Sequence, residues 1–353
     1  MRQPIYQVPP EQGPRVVAIG GGNGLATLLR GLKLYTENIT AVVTVADDGG
    51  GSGALRRDLG ILPPGDIRNC LEALANVEPM MSQLMHYRFP DGALAGQSFG
   101  NLFLAALDGI SPSFDKAVAS MSQVLAITGQ VLPVTTENVI LGAEFENGSS
   151  VTGESRIFYC KKEQNCRIRR VYLLPKRPKA LPAVIEAIEN ADMIILAPGS
   201  LYTSIIPNLL VEGVAEAIER STALKIYTCN VMTQEGETEG YTVSDHIRAL
   251  FKHSKPSLFS LCLANSAPIP LAISRLYAKE GAAPLACDGE KCEKLGVRVV
   301  QRPIVTVESN FVRHNPGHLA RELMLLYTED CLRRAMEYEE NGEERKPCPF
   351  PTK

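Results

Sequence analysis

Residues 15–24 read RVVAIGGGNG, an apolar run that ends in a cluster of glycines, and this stretch decides the fold. The apolar run predicts a buried strand, and the glycines after it predict a tight turn. The leucines of LATLLRGL at 25–32 recur on one face of a helix, and the β-branched run ITAVVTVA at 39–46 predicts the next strand. Strand, turn, helix and strand make a βαβ unit, which requires parallel strands.

The same order returns in the second half of the chain. MIILA at 193–197 predicts a strand, PGS at 198–200 a turn, and LKIYTC at 224–229 the following strand. The sequence therefore predicts an α/β protein with a Rossmann-like, three-layer α/β/α fold and a mostly parallel sheet. Asn147-Gly148 lies between two further strand-like runs, which is typical of a hairpin and predicts an antiparallel insertion over 131–175.

The predicted domain limits follow from these patterns. Residues 1–14 are rich in proline and predict a flexible arm, 15–335 form the α/β domain, and the charged residues 336–353 predict a disordered tail.

Composition excludes several classes of protein. The 353 residues carry a net charge of −3, which disfavours nucleic-acid binding. The sequence contains no run of 18 apolar residues, so no membrane insertion is expected. The nine cysteines form no CxxC pair and are interpreted as reduced thiols. The amino-terminal residues have no apolar core typical of a signal peptide. We expect a cytoplasmic protein, and the sequence is compatible with a homodimer.

Two glycine-rich turns predict a site for phosphate. Gly22, Asn23 and Gly24 lie where a helix begins, and its free N–H groups attract anions. The strict GxGxxG dinucleotide spacing is absent. Asp47 and Asp48 follow the second strand and precede four glycines within five residues. The glycine amides predict an anion nest, whereas the carboxylates suit a ribose hydroxyl or Mg²⁺.

Three later segments add candidates. In PPGDIRN at 63–69, Asp66 either joins the other aspartates around a metal or caps a helix, and Arg68 is a candidate phosphate clamp. SFGNL at 98–102 and PGSLYTS at 198–204 are further loops, and Asn230 follows a strand. No catalytic triad is visible, and His314 and His318 are expected to face solvent or to cap a helix.

Together these segments resemble one family. GGGNGL at 20–25, VADDGGGSGALR at 45–56, PPGDIRNCL at 63–71 and APGSLYTSIIPNLLV at 197–211 are similar to YvcK-type gluconeogenesis factors, a branch of the CofD-like 2-phospho-L-lactate transferase superfamily. The resemblance implies that the following residues bind a nucleotide: Gly22, Asn23, Gly24, Asp47, Asp48, Asn101, Gly199, Ser200, Leu201, Tyr202 and Thr203. It also implies that Tyr277 and Arg313 contact a UDP-sugar.

The implied function is a regulatory protein that binds a UDP-sugar, such as UDP-N-acetylglucosamine, and supports growth and cell shape on gluconeogenic carbon sources. The alternative is a metal-dependent transferase that moves a phosphate-linked group from a nucleotide donor, with Mg²⁺ on Asp48 and Asp66. Gly51, Gln97 and Asn315 depart from the family pattern, which favours a binding protein without turnover.

Overall fold

Strands alternate with helices along the chain. The computed structural model describes residues 8–341. The strands are β1 (Val16–Gly20), β2 (Ile39–Val43), β3 (Gln130–Pro133), β4 (Ile140–Phe145), β5 (Ser150–Thr152), β6 (Ile168–Leu174), β7 (Met193–Leu196), β8 (Leu224–Thr228), β9 (Leu261–Asn265), β10 (Arg298–Arg302), β11 (Val305–Glu308) and β12 (Phe311–His314). The helices are α1 (Gly22–Leu32), α2 (Gly50–Leu59), α3 (Gly65–Leu74), α4 (Pro79–His86), α5 (Phe99–Ile110), α6 (Phe114–Val124), α7 (Glu154–Gln164), α8 (Pro182–Glu189), α9 (Ile206–Leu209), α10 (Val214–Arg220), α11 (Val243–His253), α12 (Leu271–Ala278), α13 (Gly289–Glu293) and α14 (Pro316–Asn341).

Seven strands form one parallel sheet in the order β10-β9-β8-β7-β1-β2-β3. Every residue of β1, β2 and β7 is buried, as expected for parallel strands that are covered on both faces. The predicted Rossmann-like α/β fold with a mostly parallel sheet is confirmed.

The direction in which the sheet grows reverses between β1 and β7. From β1 the chain adds β2 and β3 on one side, and β7 to β10 are added on the other. Because parallel crossovers are right-handed, the helices after β1 and after β7 are expected on opposite faces of the sheet. Accordingly α1 packs against α3 and α14, whereas α10 packs against α8 and α9.

The antiparallel insertion is smaller than predicted. Strands β5, β4 and β6 form a three-stranded antiparallel sheet in that order, and Asn147-Gly148 turns the chain between β4 and β5. Residues 131–133 instead belong to β3, which pairs with β2 in the main sheet. The insertion therefore begins after Pro133. Strand β5, the second strand of the hairpin, ends at Thr152, because helix α7 begins at Glu154.

Both termini are more ordered than predicted where the structure describes them. Residues 10–12 form a 3₁₀ turn, and the Thr36 hydroxyl donates to the carbonyl oxygen of Pro14 at 2.8 Å, so the described end of the predicted arm is anchored. Helix α14 continues to Asn341 and includes the first residues of the predicted tail. Residues 1–7 and 342–353 lie outside the described residues. Within 8–341, no helix is both long and apolar enough to cross a membrane.

A glycine fixes the packing of α1 against α14. A Cβ placed on Gly31 would lie 2.0 Å from the Pro316 carbonyl oxygen and 2.8 Å from the Ala320 Cβ. Both distances are shorter than any van der Waals contact, so only glycine permits this helix crossing.

We expect Gly31→Ala to lower the free energy of unfolding by about 2 kcal/mol or more, because the added methyl group must push α14 away. Urea denaturation measures the change. Gly109→Ala is the matched control, since the Cβ at this helical position meets open space and alanine favours helix. Equal stability of the two variants would contradict the tight crossing.

Candidate functional site

The loops after β1 and β7 touch at the point where the strand order reverses. A Cβ on Gly24 would lie 2.0 Å from the Pro198 carbonyl oxygen, so glycine is required for this contact. Gly22 begins α1 with a φ of +61°, a left-handed conformation that glycine adopts without strain. The two loops therefore border one crevice at the carboxyl ends of β1 and β7, where open α/β sheets bind ligands.

Asn230 holds the loop after β7 in position. Its Oδ1 accepts a hydrogen bond from the Gly199 N–H at 2.9 Å, and its Nδ2 donates to the Gly199 carbonyl oxygen at 2.7 Å. The Ser200 hydroxyl donates to Oε1 of Gln234 at 2.8 Å. Asn230 was predicted to bind the ligand, and the structure gives its amide a positioning role at the wall of the crevice.

A cavity of about 470 Å³ lies above these loops. Ligand sites for small molecules commonly have this size. Seven of the predicted ligand-binding residues line the cavity: Asn23, Gly24, Gly199, Ser200, Asn230, Tyr277 and Arg313. The lining also includes residues that the sequence analysis did not place in a site: Phe158, Gln234, Glu235, Glu280 and His314.

The outer wall of the cavity consists of α12 and the β11–β12 hairpin. The Tyr277 hydroxyl accepts a hydrogen bond from the Val312 N–H at 2.9 Å and so ties α12 to the hairpin. The Arg313 guanidinium carbon lies 5.5 Å from the centre of the Phe311 ring, within cation–π range. This wall adds a positive charge to a cavity whose floor consists of glycine loops.

His314 is half-buried and lines the cavity at the end of β12, whereas the sequence predicted that it faces solvent or caps a helix. Its Nε2 lies 3.3 Å from the Cys229 carbonyl oxygen, and burial lowers the pKa of its imidazole to about 4. The side chain is therefore neutral at pH 7. No local pattern around the last residue of a short hairpin strand would reveal its position in the wall of the cavity.

Leu201, Tyr202 and Thr203 do not line the cavity, although the sequence predicted that they bind the ligand. They lie in a π-helical turn, Leu201–Ile205, and their side chains are buried. The Thr203 hydroxyl donates to Oε1 of Glu237 at 2.8 Å, and the Tyr202 N–H donates to Oε2 of the same residue at 3.2 Å. The hydroxyl and N–H groups that the sequence assigned to a phosphate therefore donate to the Glu237 carboxylate instead.

Asn101 and Arg68 likewise bond to other protein groups. Asn101 is buried on α5, and its Oδ1 accepts a hydrogen bond from Nε of Arg68 at 2.9 Å. Arg68 also forms an ion pair with Glu72 at 2.6 Å. The structure therefore does not bring Asn101 to the cavity, and Arg68 is not a free phosphate clamp.

A cluster of carboxylates lies beside the glycine loops. Asp47 accepts a hydrogen bond from the Gly49 N–H at 2.9 Å, and Asp48 accepts one from the Ser155 N–H at 2.8 Å. Asp66 is half-buried on α3 and accepts a hydrogen bond from the Gly22 backbone, so it supports the first glycine loop rather than capping its own helix.

Two more carboxylates, which the sequence analysis missed, complete this cluster: Glu154 and Glu237. Burial raises the pKa of Glu154 to about 8, with the nearby Asp47 adding to the effect. Burial also raises the pKa of Asp66 to about 7 and that of Glu237 to about 7. These groups are partly protonated near neutral pH, which reduces negative charge next to the phosphate-binding loops.

The donor set only partly suits a metal ion. Within the described part of the chain, no group of three or more His, Cys, Asp and Glu side chains is arranged to hold a metal. Mg²⁺ often uses one or two carboxylates and takes its other ligands from water and substrate phosphates. Mg²⁺ on Asp48 and Asp66 therefore stays a prediction that depends on a bound phosphate.

Fold and cavity define the class: a Rossmann-like α/β protein with a candidate ligand site at the switch point of its sheet. Residues 16–305 match the family described as 2-phospho-L-lactate transferase CofD. The chain belongs to this family.

Known proteins similar to this chain include gluconeogenesis factors. The gluconeogenesis factor of Bacillus subtilis is 47% identical over 319 residues, which cover 90% of this chain and 99% of that protein. A Thermoanaerobacterium thermosulfurigenes protein is 53% identical over 312 residues, which cover 88% of this chain and 96% of the relative. The crystal structure of a Bacillus halodurans protein has a TM-score of 0.85 and 47% identity, and it covers 89% of this chain and 99% of its own.

The carboxylate cluster predicts a pH dependence of stability. A glutamic acid whose pKa is raised by folding binds a proton in the native state, so its contribution to stability falls as pH rises from the unfolded pKa of 4.5 toward about 8. Glu154→Gln removes the titrating carboxyl group and therefore also this loss of stability at higher pH. We expect the variant to match the wild type near pH 4.5 and to be more stable by at least about 1 kcal/mol at pH 8.

Urea denaturation at several pH values measures this difference. Glu280→Gln, which removes an exposed carboxylate at the cavity, is the control for the loss of one negative charge. A Glu154→Gln variant whose stability stays parallel to the wild type between pH 4.5 and 8 would contradict the raised pKa of Glu154.

Proposed function

We propose that this chain is a gluconeogenesis factor that binds a nucleotide sugar, with a UDP-sugar such as UDP-N-acetylglucosamine as its ligand. In this proposal the protein works in the cytoplasm and regulates growth and cell shape on gluconeogenic carbon sources. The observation that carries the proposal is that one cavity joins the start of α1, the loop at Gly199 and Ser200, and Arg313.

Each wall of the cavity suits one part of such a ligand. The first turn of α1, at Asn23 and Gly24, has backbone N–H groups without partners in the helix, which favour a phosphate. Arg313 adds a fixed positive charge for the diphosphate. Glu235 and Glu280 present carboxylates, which accept hydrogen bonds from sugar hydroxyls.

Several weak contacts must act together in this site. An exposed helix N-terminus stabilises an anion by about 0.3–1 kcal/mol, whereas micromolar binding requires about 8 kcal/mol. The convergence of two loops, the hairpin and α12 on one cavity supplies the number of contacts that this affinity requires. Regulation by binding also agrees with the names of the relatives, which describe factors rather than enzymes of gluconeogenesis.

One observation favours a second candidate function. Asp47, Asp48 and Asp66 lie beside the loops proposed for the phosphates, and such carboxylates can hold Mg²⁺ against a diphosphate. With Mg²⁺ bound, the chain would be a transferase that moves a phosphate-linked group from a nucleotide donor, as the family description suggests.

Calorimetric titration tests ligand binding. We expect the wild-type chain to bind UDP-N-acetylglucosamine, and we expect Arg313→Ala to weaken binding at least tenfold, which corresponds to about 1.4 kcal/mol, because the diphosphate loses its charged partner. Arg275→Ala is the matched control, since Arg275 is exposed on α12 and does not line the cavity. No binding by the wild type at millimolar ligand would refute the proposal.

Turnover is tested separately. Phosphorus NMR of the chain with UDP-N-acetylglucosamine and Mg²⁺ is expected to show an unchanged ligand if the protein only binds. Release of a free nucleotide that requires Mg²⁺ and disappears in Asp48→Asn, with the phosphate-linked group transferred to water or to an added acceptor alcohol, would favour the transferase instead.

A further inference from the structure

Helix α7 of the insertion covers one side of the cavity. At its first turn, the Asp48 carboxylate accepts the Ser155 N–H at 2.8 Å. At its other end, the buried Lys161 ammonium lies 2.6 Å from Oε2 of Glu239. Ile157 is fully buried between these points. The insertion is therefore fastened both to the loop after β2 and to the turn after β8.

This arrangement places Phe158 at the wall of the cavity. A Cβ on Gly236 would lie only 2.3 Å from Cδ2 of Phe158, so one edge of the ring packs directly on the Gly236 backbone. Gly236 also has a φ of +77°, which favours glycine at this position. The ring is half-buried, and it lines the cavity together with the residues of the glycine loops.

Phe158 differs chemically from the other lining residues. Phe158 and Tyr277 are the aromatic residues that line the cavity, and the Tyr277 hydroxyl already holds the β11–β12 hairpin. The groups suited to phosphate, sugar hydroxyls and charge lie on the remaining walls. A half-exposed phenyl ring in such a cavity suits a planar, uncharged group, because stacking removes apolar surface from water.

We propose that Phe158 stacks on the base of the bound nucleotide and thereby makes the site select nucleotides over sugar phosphates. This inference rests on the proposed function. The diphosphate then lies over Gly24 and Ser200, and the base lies under α7. The antiparallel insertion supplies the specificity of a site whose phosphate-binding part comes from the parallel sheet.

Titrations with two probes test this role: UDP, which carries a base, and inorganic pyrophosphate, which does not. Because the variant loses the base–aromatic stacking, we expect Phe158→Ala to weaken binding of UDP about tenfold and to leave that of pyrophosphate within twofold. Phe158→Tyr keeps the ring and is expected to bind UDP like the wild type. Glu163→Ala, at an exposed position of the same helix, is the matched control, whereas Tyr159 is unsuitable because its ring contacts that of Phe158.

The outcomes separate the two proposals. Wild-type protein that binds pyrophosphate but not UDP would refute the nucleotide ligand itself. Wild-type protein that binds UDP, together with a Phe158→Ala variant that binds it equally well, would overturn only the stacking role. A loss that is equal for both probes, or a loss that is as large in Glu163→Ala, would assign Phe158 to the packing of α7 and would also overturn it.

Discussion

The reversal of strand order between β1 and β7 is the constraint on which the rest of the structure depends. Two neighbouring parallel strands send their following helices to opposite faces, so their loops separate and leave a crevice between them. The crevice is narrow at its floor because Gly24 contacts the backbone of Pro198 without an intervening side chain. The close approach aligns the start of α1 with the loop at Gly199, and Asn230 fixes that loop through both polar atoms of its amide.

The site combines two environments that differ in charge. The cavity has glycine loops, Arg313 and polar side chains, whereas the neighbouring cluster consists of five carboxylates. Glu237 is buried, and the other four are half-buried: Asp47, Asp48, Asp66 and Glu154. An anionic ligand beside five ionised carboxylates would be repelled. Burial reduces this repulsion in part, because it raises the pKa values of Asp66, Glu154 and Glu237 toward or above neutrality. A divalent cation would reduce the remaining repulsion.

Local patterns predicted the elements of the sheet and the glycine loops well. The apolar run before Gly20, the leucine periodicity of α1 and the Asn147-Gly148 turn each depend on neighbouring residues alone. The orientation of Leu201, Tyr202 and Thr203 could not be predicted in this way, because hydroxyls near a strand end suit a phosphate as well as a carboxylate. Here the carboxylate is that of Glu237, 34 residues beyond Thr203. Glu154 and Phe158 enter the site only because α7 is fastened across the sheet by Asp48 and Glu239, and no local sequence signal predicts this tertiary contact.

A crystal structure of the chain with UDP-N-acetylglucosamine bound would show where the ligand lies. We expect a diphosphate within hydrogen-bonding distance of backbone N–H groups at Asn23 or Gly24 and at Gly199 or Ser200, in the crevice between β1 and β7. A ligand bound instead at the amino ends of the strands, in the groove beside Arg15, Asn38 and Glu186, would contradict it.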